Sequence, residues 1–200
     1  RKGKSHIGPT PLRRLTRYEL ENTLEDVLSI KLKAPYRDTI IGRIDISTIT
    51  SIVPSDIPGE SGFDNDARRM ESLKPPLKEI SEAVHYALGV FSNDPAAKQA
   101  VLGRAEIPKN ATEGDIKRFI SAFLLRACRC DRRRVQELED AYYGLYQKHM
   151  QVSQDSRKSL LHVFEMVLVS PGFLYRLEES RNQKTPYPVS GVELATRLSY

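Results

Sequence analysis

Asp56, Asp64, Asn65 and Asp66 put four oxygen-bearing side chains around a glycine-containing loop, with Gly59 and Gly62 between them. Hard cations such as calcium take carboxylate and amide oxygens of this kind. The spacing does not follow an EF-hand loop. Turn and helix-cap chemistry, in which Asp and Asn accept backbone N–H bonds, accounts for the same residues. Asp56, Asp64 and Asn65 stand as a candidate loop site, with the cap reading preferred.

The second group is cationic. Lys117, Arg118, Arg126, Arg129, Arg132, Arg133 and Arg134 face only Asp131 in the same stretch, a local charge of +6 against +5 for the whole chain. The remainder is therefore close to neutral, so this is a local patch and not a basic protein. Nucleic-acid binding would call for a wider basic surface with aromatic platforms, and neither is present. Glu137, Glu139 and Asp140 are near enough in sequence to offset part of the charge. Arg126, Arg129 and Arg133 are accordingly candidates for docking on a neighbouring domain, and binding of an anionic polymer is the alternative.

Other groups carry weaker signals. Cys128 and Cys130, read on one helix, point about 200° apart, which a disulfide does not tolerate, so they read as separate packing thiols. Glu19, Asn22 and Asp26 share two turns of a helix and could do acid–base work. Glu19 is better explained as a cap, and Asn22 as a tie to a loop. Tyr142, Tyr143 and Tyr146 could stack on sugars, but their spacing suits core rings with polar tips.

These residues are positioned by helices. Thr16 with Glu19 makes a capping box, and Leu15 with Leu20 a hydrophobic staple. Leu20, Leu24, Val27 and Leu28 continue the helix to about Ile30. Residues 31–62 are irregular. A short hairpin could be drawn through Ile44 and Ile46, yet Pro54, Pro58, Gly59 and Gly62 favour a long loop. A polar helix ends near Leu73, and Pro75-Pro76 opens one with Leu77, Ile80, Val84, Ala87 and Leu88 on one face. Asp94-Pro95 caps a short helix to Leu102. Thr112 and Asp115 cap another, with Ile116, Phe119, Ile120, Phe123, Leu124 and Ala127 as its apolar stripe. Helices from about Arg132 to Met150 and Asp155 to Val169 follow, the latter apolar over a wide arc and so central. Ser170-Pro171 restarts the chain, and Ser190 with Glu193 caps a last helix.

The fold class is therefore all-α, with about eight or nine helices in two consecutive subdomains. Residues 1–10 read as a linker, 11–90 as a first helical domain, 91–111 as a connector and 112–181 as a second helical domain. Residues 182–200 read as a linker and the start of a third domain. With 40% hydrophobic and 28% charged residues, the composition is that of a globular protein. No apolar run approaches the roughly 20 residues of a spanning helix. The chain begins at Arg1 without Met and stops at Tyr200 inside a helical pattern, which reads as a segment of a longer protein.

Three stretches resemble one family. They are Pro11 to Glu19 with Asn22-Thr23 and Asp26-Val27-Leu28; Pro54-Ser55-Asp56 with Gly62-Phe63-Asp64-Asn65; and Arg126-Ala127, Val167 to Glu178 and Glu193 to Tyr200. They resemble the large exported multidomain proteins of planctomycetes that combine c-type cytochrome domains with planctomycete surface domains of unknown function. Arg126-Ala127-Cys128-Arg129-Cys130-Asp131 departs from that family's Arg-Ala-Phe-Arg-Arg-Pro, and the β domain that many members insert is missing near 91–111. The resemblance implies a periplasmic or cell-surface location and neighbouring domains of cytochrome type as partners. It also implies haem c in those neighbours. This chain has no Cys-x-x-Cys-His for covalent haem attachment, so no cofactor is expected within it. His85, His149, Met150 and His162 have axial-ligand chemistry by residue type alone, and read as ordinary structural residues. The expected role is a structural and interaction module of an exported cytochrome-associated protein. The competing class is part of an oxidoreductase or polysaccharide-processing assembly.

Overall fold

Thr16 starts the first long helix as its side-chain chemistry dictates. Its hydroxyl accepts from the Glu19 N–H at 3.2 Å, and Glu19 accepts from the Thr16 N–H at 2.8 Å. The helix, α1 (Arg17–Leu28), closes two residues before the expected Ile30, because Ser29 turns left-handed at φ 54°. Both staple residues, Leu15 and Leu20, are buried. The computed structural model describes residues 12–38, 42–60, 62, 65–71, 74–128, 130–176, 191, 194 and 195. The readings of residues 1–10 as a linker, of 182–200 as a third-domain start and of Ser190 with Glu193 as a cap lie outside these residues or nearly so.

Where a long irregular loop was expected, the chain forms an antiparallel hairpin of β2 (Lys33–Asp38) and β3 (Gly42–Ser47). A short helix, α2 (Thr48–Ile52), follows, with Ser47 capping Thr50. The breakers that argued for a loop, Pro54, Pro58, Gly59 and Gly62, all fall after α2 and interrupt nothing. Pro35 does lie within β2, where a two-stranded sheet leaves each strand an open edge that tolerates it. Residues 53–60 form neither helix nor strand, and α3 (Ala67–Glu71) comes next among the described elements.

The remaining helices are α4 (Leu77–Asn93), α5 (Pro95–Leu102), α6 (Glu113–Ala127), α7 (Arg132–Ser153), α8 (Ser156–Leu168) and α9 (Pro171–Leu174). The fold is thus predominantly helical, as the periodicity dictates. All six residues of the α6 stripe are buried. On α4 the stripe holds except at Leu77, which stays 57% exposed at the first helical position. The α8 helix packs on α4, α6, α7 and α9, which makes it the central element. Phe164 stacks on Phe123 with ring centroids 3.9 Å apart and meets Phe91 at 6.3 Å, tying α8 to α6 and α4.

One hydrophobic core runs from Leu15 to Leu174. The stretches read as consecutive domains, 11–90 and 112–181, both feed it, and the segment between them contributes Phe91, Ala97, Val101, Leu102 and Ile107. The two ends of the body are clasped together. Strand β1 (Arg13–Arg14) pairs antiparallel with β4 (Tyr175–Arg176), and the Leu15 N–H donates to Leu174 O at 2.8 Å. This contact, between residues some 160 apart in sequence, has no local signal.

Candidate functional site

The cationic stretch divides into an inward and an outward part. Arg126 lies in the last turn of α6 and turns toward α1. Its guanidinium donates to Val27 O at 3.0 Å, Asp26 O at 2.9 Å and Ser29 Oγ at 2.9 Å. The last carbonyls of a helix have no partners within it and carry partial negative charge. Arg126 satisfies those of α1, so its function is internal and it is not free to dock elsewhere. Arg129 lies outside the described residues.

Arg133 behaves oppositely. Its side chain is 88% exposed, and its nearest carboxylate is Glu137 at 3.7 Å. Arg132 is exposed beside it, and Arg134 bonds Glu137 at 2.8 Å. All three occupy the first turn of α7, after Asp131, which accepts from the Arg134 N–H. That end of a helix is electropositive, so basic residues there are unfavourable for the helix. Among the described arginines of the patch, the favourable placement at a helix C-terminus applies to Arg126. Of the acids expected to offset the patch, Glu137 does so, and Asp140 does so through Lys117 at 3.1 Å, whereas Glu139 takes the Ser121 hydroxyl. The outcome is a fixed cationic edge at the α6–α7 junction.

The loop residues have other duties. Asp56 accepts from Arg14 at 2.5 Å and from the Arg17 N–H at 2.7 Å, so it anchors the coil to the start of α1. Asp66 accepts from the Arg69 N–H at the head of α3. Asn65 is exposed in a turn, and Asp64 lies outside the described residues. Among the described residues, no group of three or more His, Cys, Asp or Glu is placed to hold a metal ion.

Cys128 and Cys130 are not on one helix. Cys128 is the C-cap of α6 and Cys130 lies in the connection to α7, and no disulfide joins them. The angular argument from helix geometry therefore does not apply to them. Burial raises the pKa of the Cys130 thiol, and Asp131 adds to the rise. Burial likewise raises that of the Tyr142 phenol, which Ser170 partly offsets. Tyr143 and Tyr146 stack, and the buried Tyr146 donates to Ser156 at 3.0 Å, a core ring with a satisfied tip.

His85, His149 and His162 gather along α8. His149 and His162 stack with centroids 4.4 Å apart, and His149 Nδ1 meets Ser159 Oγ at 3.1 Å. Glu165 lies 3.6 Å from His85 and 3.9 Å from His162. Met150 Sδ is 3.7 Å from Ser159 Oγ. Glu19 caps α1 and bonds Arg13, while Asn22 accepts from Lys33 Nζ at 2.9 Å, tying α1 to the hairpin. Sequence reasoning missed Glu21, whose buried carboxylate has no hydrogen-bond partner among the described residues and lies 3.7 Å from the Lys33 ammonium. A charged residue inside the apolar face of α1 was the available signal.

The Arg126 arrangement predicts a measurable asymmetry. Arg126→Ala should lower the free energy of unfolding by about 1.5 kcal/mol, the range for charged hydrogen bonds to carbonyls. Arg133→Ala should leave it within about 0.5 kcal/mol. Equal effects in urea denaturation would show that Arg126 does not cap α1. No helix among the described residues is long and apolar enough to cross a membrane. No known protein family, curated protein or solved structure matches the chain.

Proposed function

We propose that this chain is a structural and interaction module, and that the edge formed by Arg132 and Arg133 docks on an acidic surface of a neighbouring domain. The observation that carries this reading is the position of those residues. They sit at the electropositive end of α7, where helix energetics disfavours them, and Arg133 extends into solvent with only a distant carboxylate. A contact outside the body accounts for charges that the body itself does not use. This reading also takes from the resemblance its proposal of an exported protein, periplasmic or at the cell surface, with haem c in neighbouring domains.

The test is charge reversal, Arg132→Glu with Arg133→Glu. Acidic residues in a first helical turn favour the helix, so the isolated variant should unfold no earlier than the parent. In the natural protein the same variant should be cut faster by protease between intact domains. Unchanged cutting would sink the docking reading. If compactness is unchanged but binding to a sulfated polysaccharide is lost, the edge is a polymer-binding site instead. Covalent haem in the flanking sequence, through Cys-x-x-Cys-His, would support the cytochrome association.

A further inference from the structure

Acidic residues crowd the opposite kind of helix end. The last turn of α1 holds Glu25 and Asp26 and no basic residue, and Asp94 is the C-cap of α4. C-terminal ends are electronegative, so these carboxylates are as unfavourable for α1 and α4 as Arg132 and Arg133 are for α7. Local duties account for two of them. Glu25 accepts from the Leu32 and Lys33 N–H groups at 2.7 and 3.3 Å, and Asp94 caps α5. Asp26 is exposed, and its bond to Arg126 uses the main-chain oxygen, not the carboxylate. The two helix ends border an open cleft of about 450 Å³, in which Glu25, Asp26 and Asp94 outnumber Lys31.

Asp26 and Ser29 line this cleft and also hold the guanidinium of Arg126. Arg132 follows Arg126 by six residues, a stretch of at most about 20 Å. The cleft and the cationic edge are therefore neighbouring patches of opposite sign. Arg133 does not fill its own cleft, since its side chain is 88% exposed and turned to Glu137. We propose that two copies of the chain associate about a two-fold axis, with Arg132 and Arg133 of each entering the other's cleft at Asp26. A two-fold contact needs a surface that complements itself. Adjacent patches of opposite sign provide one, because each copy both gives a cationic edge and receives one. Charges at odds with their own helices then gain opposite partners, and the guanidinium groups reach the electronegative ends of α1 and α4. The inference rests on the reading that this edge docks on an acidic surface, and it names a second copy's cleft as such a surface. A contact of this kind is salt-sensitive, because the charges that carry it are exposed until it forms.

Sedimentation velocity of the purified chain, taken from low to high micromolar concentration, tests the proposal. In low salt the parent should be dimeric at the high end, and high salt should dissociate it. Asp26→Arg puts Arg against Arg twice per dimer and should weaken association about tenfold or more. Adding Arg133→Asp restores an opposite pair at each contact, and association should return to near the parent value. Both changes suit the helix ends that carry them, so neither variant should unfold earlier in urea than the parent. Lost association is thereby separated from lost folding. A parent that stays monomeric in low salt overturns the proposal. So does a dimer indifferent to Asp26→Arg, or a double variant no tighter than the single one. Interdomain docking of the same edge is decided separately, by the protease comparison in the natural protein.

Discussion

Phe164→Ala should lower the free energy of unfolding by about 4 kcal/mol, within the range for deleting a buried phenylalanine. Phe164 is fully buried at the middle of the central helix. Its ring stacks on Phe123 from α6 and meets Phe91 from α4, so one deletion removes contacts to two other helices at once. Neither neighbour can refill the space by rotation alone, because both are themselves fully buried. The cost is therefore a transfer loss plus a cavity that cannot collapse. Leu161, three residues earlier and only half-buried, is the internal comparison. Leu161→Ala should cost much less. Urea titrations with an unchanged slope would read both. A Phe164→Ala loss below about 1.5 kcal/mol would mean that the three-helix aromatic junction is not formed as described.

Asp56→Ala should cost about 3 kcal/mol, the range for breaking a buried ion pair from one side. The Asp56 and Arg14 side chains are only 7% and 11% exposed. Removing the carboxylate leaves a shielded guanidinium without its counter-charge and the Arg17 N–H without its acceptor. Arg14 retains its bond to Leu15 O, so the loss falls at the lower end of that range. Replacing both partners, Arg14→Met with Asp56→Leu, should recover much of the loss, since apolar pairs can substitute for buried ion pairs. Calcium gives an independent check on the same carboxylate. A micromolar site at millimolar calcium would raise stability by about 4 kcal/mol, whereas an Asp56 already engaged by Arg14 and Arg17 predicts no shift in the thermal midpoint.

What could be read from the chain was local. The α6 stripe from Ile116 to Ala127 and the caps at Thr16, Asp94 and Thr112 follow from neighbours three or four positions away, and all appear as expected. The hairpin is obscured in the sequence because the prolines and glycines of residues 54–62 follow so closely on its strands. The candidate site was half visible. Composition located the arginines, but not that Arg126 turns inward to carbonyls about 100 residues earlier. Nor does a residue pattern show that Asp56 meets Arg14 across 42 positions, or that three histidines converge on α8. Such contacts depend on how helices stack, which periodicity leaves open. The shared core has the same origin: each helix face announces that it must be covered, and not by which other helix.

The pairing of Arg13 with Arg176 has a mechanical consequence. The two strands of that clasp leave the body side by side and in the same sense, so tension applied through them peels β1 from β4 one ladder bond at a time. Peeling must break the two-residue ladder together with the ion pairs of Arg13 with Glu19 and of Arg14 with Asp56. The clasp is thus the first part of the body that such tension loads. Because entry and exit are adjacent, the body can also be carried inside a loop of another fold with little strain on its host.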